Sequence, residues 1–150
     1  LGHGGMGVVY LAERADVGGR VALKVLWDAP FSPALRARFD EEQRTLSRLE
    51  HPGIVPLYHA GETEDGAAWF SMEYVDGTRI STYARERALS IRERLRLFEQ
   101  SCAPVMAAHK QLVVHGDLKP SNMLVTRDGR IRLLDFGVSR RLDRAEGEGE

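Results

Sequence analysis

The sequence predicts an α+β fold, and three features lead to it. The first half consists of short β-branched and aromatic runs with period-two alternation, separated by glycine-containing turns. A helix with its own start signal opens at Ser90, where Ser90-Ile91-Arg92-Glu93 is a capping box ahead of an apolar stripe. The last third holds a strand–turn–strand unit over residues 123–134, turning at Arg127-Asp128-Gly129. A chain of 150 residues is long enough for one domain with a sizeable core. Its 43% hydrophobic and 29% charged content is that of an ordinary globular protein. A formal net charge of −1 gives no reason to expect nucleic acid or an anionic membrane as partner. Cys102 is the single cysteine, so no internal disulfide is expected and a reducing, cytoplasmic setting is. No apolar run reaches the length of a membrane span, and no signal peptide is read ahead of Leu1. The chain does not begin with Met and its first residues already belong to a motif, so a piece of a longer protein is expected.

Gly2, Gly4 and Gly7 form G-x-G-x-x-G. In a dinucleotide-binding fold this motif opens a helix. Here it opens residues 8–13, an alternating β-branched and aromatic run that reads as a strand, and it lacks the Gly-Lys-Ser/Thr ending of a P-loop. Glycines between two strands let backbone amides lie close over phosphates, and they also suit a plain hairpin, so two readings stand at this point. A turn over residues 16–19 leads to a second strand, 20–26. Alternation puts Val21, Leu23 and Val25 on one face and Ala22, Lys24 and Leu26 on the other, so Lys24 lies among small and apolar residues.

Ser32-Pro33 supplies an N-cap and a first-turn proline, and a helix is expected from there to about residue 49. Phe39, Leu46 and Leu49 share one stripe with Glu42. A carboxylate on an inward face needs a partner, since an unpaired buried charge is costly, and Lys24 is the obvious one. His51-Pro52 ends the helix. Residues 55–61 and 67–75 read as strands around a Glu64-Asp65-Gly66 turn, the second running through Met72, Glu73 and Val75 into Asp76-Gly77. Residues 78–87 read as a short helix. The long helix after Ser90 carries Ile91, Leu95, Phe98, Cys102, Val105 and Met106 as its stripe, with Pro104 inside that stripe and unexplained there. Cys102, His109, Trp27 and Trp69 are read as packing residues, the histidines show no metal-ligand spacing, and the arginines of 85–96 are read as a solvated surface.

Residues 113–122, with Asp135-Phe136-Gly137, concentrate the chemistry. Asp128-Gly129 is expected to supply the left-handed positions of a tight turn, so that residues 123–126 and 130–134 pair and Asp135 returns to the neighbourhood of Asn122. Asp and Asn oxygens meeting there, with a second carboxylate at Asp117, suit Mg²⁺, which takes few protein ligands and completes its shell with water and phosphate.

In Asp117-Leu118-Lys119-Pro120-Ser121-Asn122 and Asp135-Phe136-Gly137 the chain resembles the eukaryotic-type protein kinases, and the ordered series of motifs from Gly2 onward extends the resemblance over the whole chain. The resemblance implies a truncated two-lobe kinase fold, with a small β-sheet lobe carrying one helix over about 1–75. A partial helical large lobe over about 76–150 would end in an activation segment. It implies ATP and Mg²⁺ as cofactors, and a protein bearing a Ser or Thr hydroxyl as substrate. On that pattern Asp117 is the catalytic acid that accepts or orients the hydroxyl proton, and Lys119 steadies the γ-phosphate and marks Ser/Thr specificity. Asn122 and Asp135 hold the metal, Lys24 (in Val21-Ala22-Leu23-Lys24) holds the α- and β-phosphates, and Glu42 positions Lys24. Gly2, Gly4 and Gly7 cover the phosphates. Val9, Ala22 and Leu124 sandwich the adenine, and Glu73 to Val75 is the hinge whose backbone meets the adenine edge. Leu46, Leu57, His115 and Phe136 would form an apolar column. The hinge, the Val-Ala-Leu-Lys strand and the loop glycine suggest a bacterial member.

Gly116 stands where most of these kinases have the arginine that receives an activation-loop phosphate, which puts that mode of control in doubt without removing the acid. The Ala-Pro-Glu that closes an activation segment, the later large-lobe helices and the strand leading into Gly2 are not in the 150 residues, so the fragment by itself is expected to be inactive. A nucleotide-binding pseudokinase serving as scaffold or sensor is the alternative, opposed by Lys24, Glu42, Asp117, Asn122 and Asp135 all being intact. A kinase of small hydroxyl compounds is a third reading.

Overall fold

The computed structural model describes residues 1–4, 7–16, 18–30, 32–34, 37 and 51–135. They divide into two compact units, one within Leu1–Ser47 and Pro56–Tyr74, the other within Arg48–Val55 and Val75–Glu150. Most of the helix expected over 32–49 lies outside the described residues, with Phe39, Glu42, Leu46 and Leu49 among them; Pro33, Ala34 and Ala37 are helical. The column residue Phe136 and the expected activation segment lie outside them too. Among the described residues no helix is long and apolar enough to cross a membrane.

The alternating runs of the first unit form a five-stranded antiparallel sheet. Its strands are β1 (Gly2–Gly4), β2 (Gly7–Glu13), β3 (Arg20–Pro30), β4 (Leu57–Glu62) and β5 (Ala67–Glu73), in the order β1-β2-β3-β5-β4. Among the described residues its buried apolar side chains are Val8, Val21, Ala22, Leu26, Ala68, Phe70 and Met72. Trp69 lies over Gly61 on the neighbouring strand, so closely that a Cβ at Gly61 would sit 2.5 Å from the indole. Trp27, read as a packing residue, is instead mostly exposed. β3 runs past the expected end at residue 26 because, after an irregularity beyond Val25, Pro30 pairs with Ala67. A strand ends where its partner ends, which local alternation does not record.

The second unit holds β6 (Gly77–Arg79), α1 (Ile80–Glu86), α2 (Ile91–Lys110), a 3₁₀ turn (Pro120–Asn122), β7 (Met123–Thr126) and β8 (Ile131–Leu133), with the strands in the order β6-β7-β8. Two boundaries differ from expectation. Gly77–Arg79 is a strand, not the start of a helix, because Thr78 pairs with Val125 and Arg79 with Leu124. Val55 does not begin β4. Ile54 bridges Leu133 in parallel and the Val55 N–H donates to the Leu133 carbonyl, so this segment belongs to the second unit. At the β7–β8 turn only Gly129 is left-handed (φ +80°), and Asp128 is not. Asp128 serves through its side chain, which meets the Thr126 hydroxyl and, at 2.9 Å, Arg130 Nε.

The capping box of α2 is present in both directions, Ser90 Oγ accepting the Glu93 N–H and the Glu93 carboxylate accepting the Ser90 N–H at 2.8 Å. The packed face is the one beside the apolar stripe. Leu97, Ser101, Pro104 and Ala108 are buried, whereas Ile91, Leu95, Phe98 and Met106 are 58–79% exposed and Cys102 and Val105 half-buried. Small side chains at 101 and 108 let the helix come close to β8, and periodicity alone could not choose that face over the more apolar one beside it.

Both helices end in a left-handed residue that is not glycine. Ala88 (φ +48°) follows α1, where the Ala88 N–H reaches Arg85 O and the Leu89 N–H reaches Ala84 O. Leu112 (φ +59°) follows α2 with the same pattern onto His109 and Ala108. That conformation costs an L-residue about 1–2 kcal/mol, partly offset by the flexibility glycine adds to the unfolded chain. The exposed Ala88 changed to Gly should therefore stabilise the protein by about 0.5–1 kcal/mol, read as a higher urea midpoint. A lower midpoint for Ala88→Gly would contradict this account of the helix end.

Candidate functional site

In the first unit, strand pairing places Val9 opposite Lys24, and Lys24 opposite Phe70 on the other side, while Ala22 lies between Leu11 and Met72. Ala22 is buried, Val9 and Lys24 half-buried. Gly2 and Gly4 pair with Val9 and Gly7 across the β1–β2 hairpin. Gly7 has a structural reason of its own, because a Cβ there would lie 2.0 Å from the Val25 carbonyl oxygen of β3. The Glu73 N–H donates to Pro56 O at 3.1 Å at the end of β5, and Val75 follows outside the strand, half-buried. Glu42 lies outside the described residues.

In the second unit the chain leaves α2 through Leu112 and enters the acidic loop. Gly116 is left-handed (φ +80°), a conformation that suits glycine better than a side-chain-bearing residue in the same place. The 3₁₀ turn then buries Asn122, whose backbone N–H donates to Lys119 O. Its side-chain Nδ2 donates to the Asp117 carbonyl at 2.9 Å and to Asp117 Oδ2 at 3.2 Å. Lys119 Nζ sits 2.6 Å from the same carboxylate oxygen. One partly exposed acid thus shares an oxygen between a cation and an amide.

His115, assigned from the sequence to an apolar column, is 3% exposed and has a polar role that spacing did not reveal. Its Nε2–H donates to the Leu134 carbonyl at 2.9 Å, which leaves Nδ1 to accept the Asp117 N–H at 3.3 Å. The Leu134 N–H in turn donates to Asn122 O at 2.9 Å. The hairpin therefore brings Asp135 back beside Asn122, and a histidine ties both ends of the loop together. Asp135 itself is left-handed (φ +54°), an uncommon state for a non-glycine residue. Leu124, half-buried on β7, pairs with Arg79 and Arg132. With Nδ2 of Asn122 given to Asp117, oxygens that could hold a metal here include the Asn122 Oδ1 and the Asp135 carboxylate, with the Asp117 carboxylate on the same loop. These hard oxygens suit Mg²⁺ and not a soft metal.

This chain belongs to the protein kinase family: residues 1–148 match the protein kinase domain. Its relatives include bacterial serine/threonine-protein kinases. It is 38% identical over 141 residues to PrkC of Bacillus subtilis (strain 168), covering 93% of this chain and 22% of that protein. It is 39% identical over 152 residues to PknA of Mycobacterium tuberculosis (strain H37Rv), covering 97% of this chain and 35% of PknA. The crystal structure of the Mycobacterium tuberculosis PknI kinase domain superposes with a TM-score of 0.76 at 35% identity, over 93% of this chain and 58% of that one. The fold is that of the protein kinases, represented by its β-sheet unit and the start of its helical one. The chain spans about a fifth to a third of the length of these curated relatives.

Burial lowers the His115 pKa, and this outweighs the Leu134 carbonyl and the Asp135 and Asp117 carboxylates, which raise it. In the unfolded chain the ring returns to its ordinary value near 6.5, so on acidification the unfolded state takes up the proton first. The contribution of the neutral ring to stability is therefore complete above about pH 6.5 and is lost progressively below it. Without nucleotide or metal, the unfolding temperature should fall between pH 7 and pH 5.5, and more steeply than in His115→Gln. Equal slopes for the two proteins would remove His115 as the cause.

Proposed function

We propose that this chain is the nucleotide-binding and catalytic-loop part of a protein serine/threonine kinase, with a small lobe over about 1–75 and part of the large lobe over about 76–150. The observation that carries the reading is the Asp117 carboxylate held by Lys119 and Asn122, on a loop that also returns Asp135 to Asn122. A carboxylate so oriented is suited to accept the proton of a Ser or Thr hydroxyl as its oxygen bonds to the γ-phosphorus of ATP and the bond to the bridging oxygen of ADP breaks. The Lys119 ammonium, adjacent to that carboxylate, is suited to neutralise charge on the transferring phosphoryl group. Lys24 is assigned to the α- and β-phosphates and Glu42 to positioning Lys24. Gly2, Gly4 and Gly7 are assigned to the phosphate-covering hairpin, Val9, Ala22 and Leu124 to the adenine faces, and the backbone of Glu73 and Val75 to its edge.

Asn122 and Asp135 are assigned to Mg²⁺, with Oδ1 of Asn122 and the Asp135 carboxylate as its protein ligands. The metal supplies neutralisation of the phosphate oxygens when bound. Family membership and the names of the relatives support protein hydroxyls as substrate, and the intact acid, amide and lysine set speaks against a pseudokinase. The exposed α2 face of Ile91, Leu95, Phe98 and Met106 supports a further expectation, that residues 1–150 alone are not a competent kinase.

In the full-length protein, Lys24→Met, Asp117→Asn and Asp135→Asn should each reduce phosphoryl transfer to a protein substrate by orders of magnitude. Asp135→Asn should also weaken Mg²⁺-dependent nucleotide binding, measured by calorimetry. Near-normal turnover in Asp117→Asn would reject the role given to that acid. With glycine in place of the usual arginine at 116, activity should depend little on phosphorylation of the segment that follows Gly137. A phosphatase-treated enzyme that loses most of its activity and regains it on rephosphorylation would show that another cation serves the phosphate.

A further inference from the structure

Pro104 is a residue the helix should avoid. It cannot donate to the Gln100 carbonyl, and a proline inside a helix costs about 3 kcal/mol or more. Yet it is among the most completely buried side chains, and its ring lies against Gly53. A Cβ built on Gly53 would be 3.1 Å from both Cβ and Cγ of Pro104 and 3.1 Å from Nδ1 of His51. Neither neighbour can yield easily. The proline ring is fixed in α2, and His51 Nδ1 accepts the Gly53 N–H at 3.0 Å.

Gly53 is in turn a backbone partner of β8. Its carbonyl accepts the Leu133 N–H at 2.7 Å, and two residues on, the Val55 N–H donates to Leu133 O at 2.9 Å. Leu133 is fully buried and faces Met123 across β7–β8, so both of its own backbone groups are directed to the segment His51 to Val55. The next two residues are Leu134, clamped by His115 and Asn122, and Asp135.

We infer that Gly53 and Pro104 form a matched seat that sets the height of β8 and, through Leu133, positions Asp135 at the Mg²⁺ site. The inference rests on the metal role proposed above for Asn122 and Asp135. A side chain at position 53 pushes the segment off Pro104, loosens both hydrogen bonds to Leu133 and displaces the strand end that delivers the acid. Gly53 and Pro104 touch neither nucleotide nor metal in this account; they are positioning residues.

The test uses the full-length protein and ADP as the probe, titrated by calorimetry with and without Mg²⁺, beside hydrogen exchange of the peptide containing Leu133. In the wild type, Mg²⁺ should tighten ADP binding. In Gly53→Val that gain should shrink at least fivefold while metal-free ADP binding changes less than twofold, and exchange at Leu133 should quicken. Removing the opposing ring in Gly53→Val/Pro104→Ala should return at least half of the lost gain. Gly53→Ala, with the same Cβ contact but less bulk, should show a smaller effect of the same kind and serves if the valine variant does not fold. Equal weakening of ADP binding with and without Mg²⁺ would mean a general structural role and overturn the inference. An unchanged Mg²⁺ gain in Gly53→Val and Gly53→Ala, or no recovery in the double variant, would overturn it too. A wild-type protein that binds no nucleotide would instead reject the kinase reading itself.

Discussion

The arrangement of the second unit depends on the buried imidazole of His115. One ring nitrogen donates to the Leu134 carbonyl and the other accepts the Asp117 N–H, so a single neutral side chain joins the loop that carries the acid to the strand end that carries Asp135. Two residues far apart in sequence acquire a fixed relation through one rigid aromatic spacer. The ring stays neutral because burial penalises its charged form more than the nearby carboxylates favour it. Neutrality is also what the bonding pattern requires, since a doubly protonated ring would have no acceptor to offer Asp117.

Around that clamp, hydrogen bonds close a small circuit. Asn122 receives the Leu134 N–H on its backbone carbonyl and gives its side-chain amide to Asp117, so the same residue holds the strand and orients the acid. Loops that carry function are usually the less ordered part of a fold. Here the loop is nearly as interlocked as a strand pair, with Asn122, His115 and Leu133 all buried behind the partly exposed Asp117 and Lys119. Left-handed backbone at Gly116 and at Asp135 lies on either side of the circuit, at the two points where the chain must turn toward the site. Glycine accommodates the first at little cost. Asp135 holds the second without that freedom.

Glycines elsewhere carry two different constraints. Gly7 and Gly61 are required by close approach, to the β3 backbone and to the Trp69 ring, and Gly129 by a left-handed turn. A motif such as G-x-G-x-x-G therefore mixes packing with function, and in this chain its third glycine is explained by strand pairing before any ligand is considered.

The sequence by itself determined what depends on local chemistry. Alternation marked β2 to β5 of the sheet unit, Ser90 and Glu93 marked the start of α2, Gly129 marked the hairpin turn, and Asp117, Lys119, Asn122 and Asp135 marked the acidic loop, because each signal is complete within a few residues. Tertiary structure decided whatever needs a partner distant in sequence. Gly77–Arg79 became a strand through Val125 and Leu124, Val55 left the first sheet for Leu133, and β3 lengthened to meet Ala67. It also decided which face of α2 is packed. Ser101, Pro104 and Ala108 lie inward, where close approach to β8 needs small volume, while the more apolar stripe, Ile91 to Met106, is exposed within these 150 residues. Pro104 reads as a defect when only its own helix is considered. Its reason lies in Gly53, fifty-one positions earlier, where no local pattern can record it, because packing depends on distances that folding alone creates.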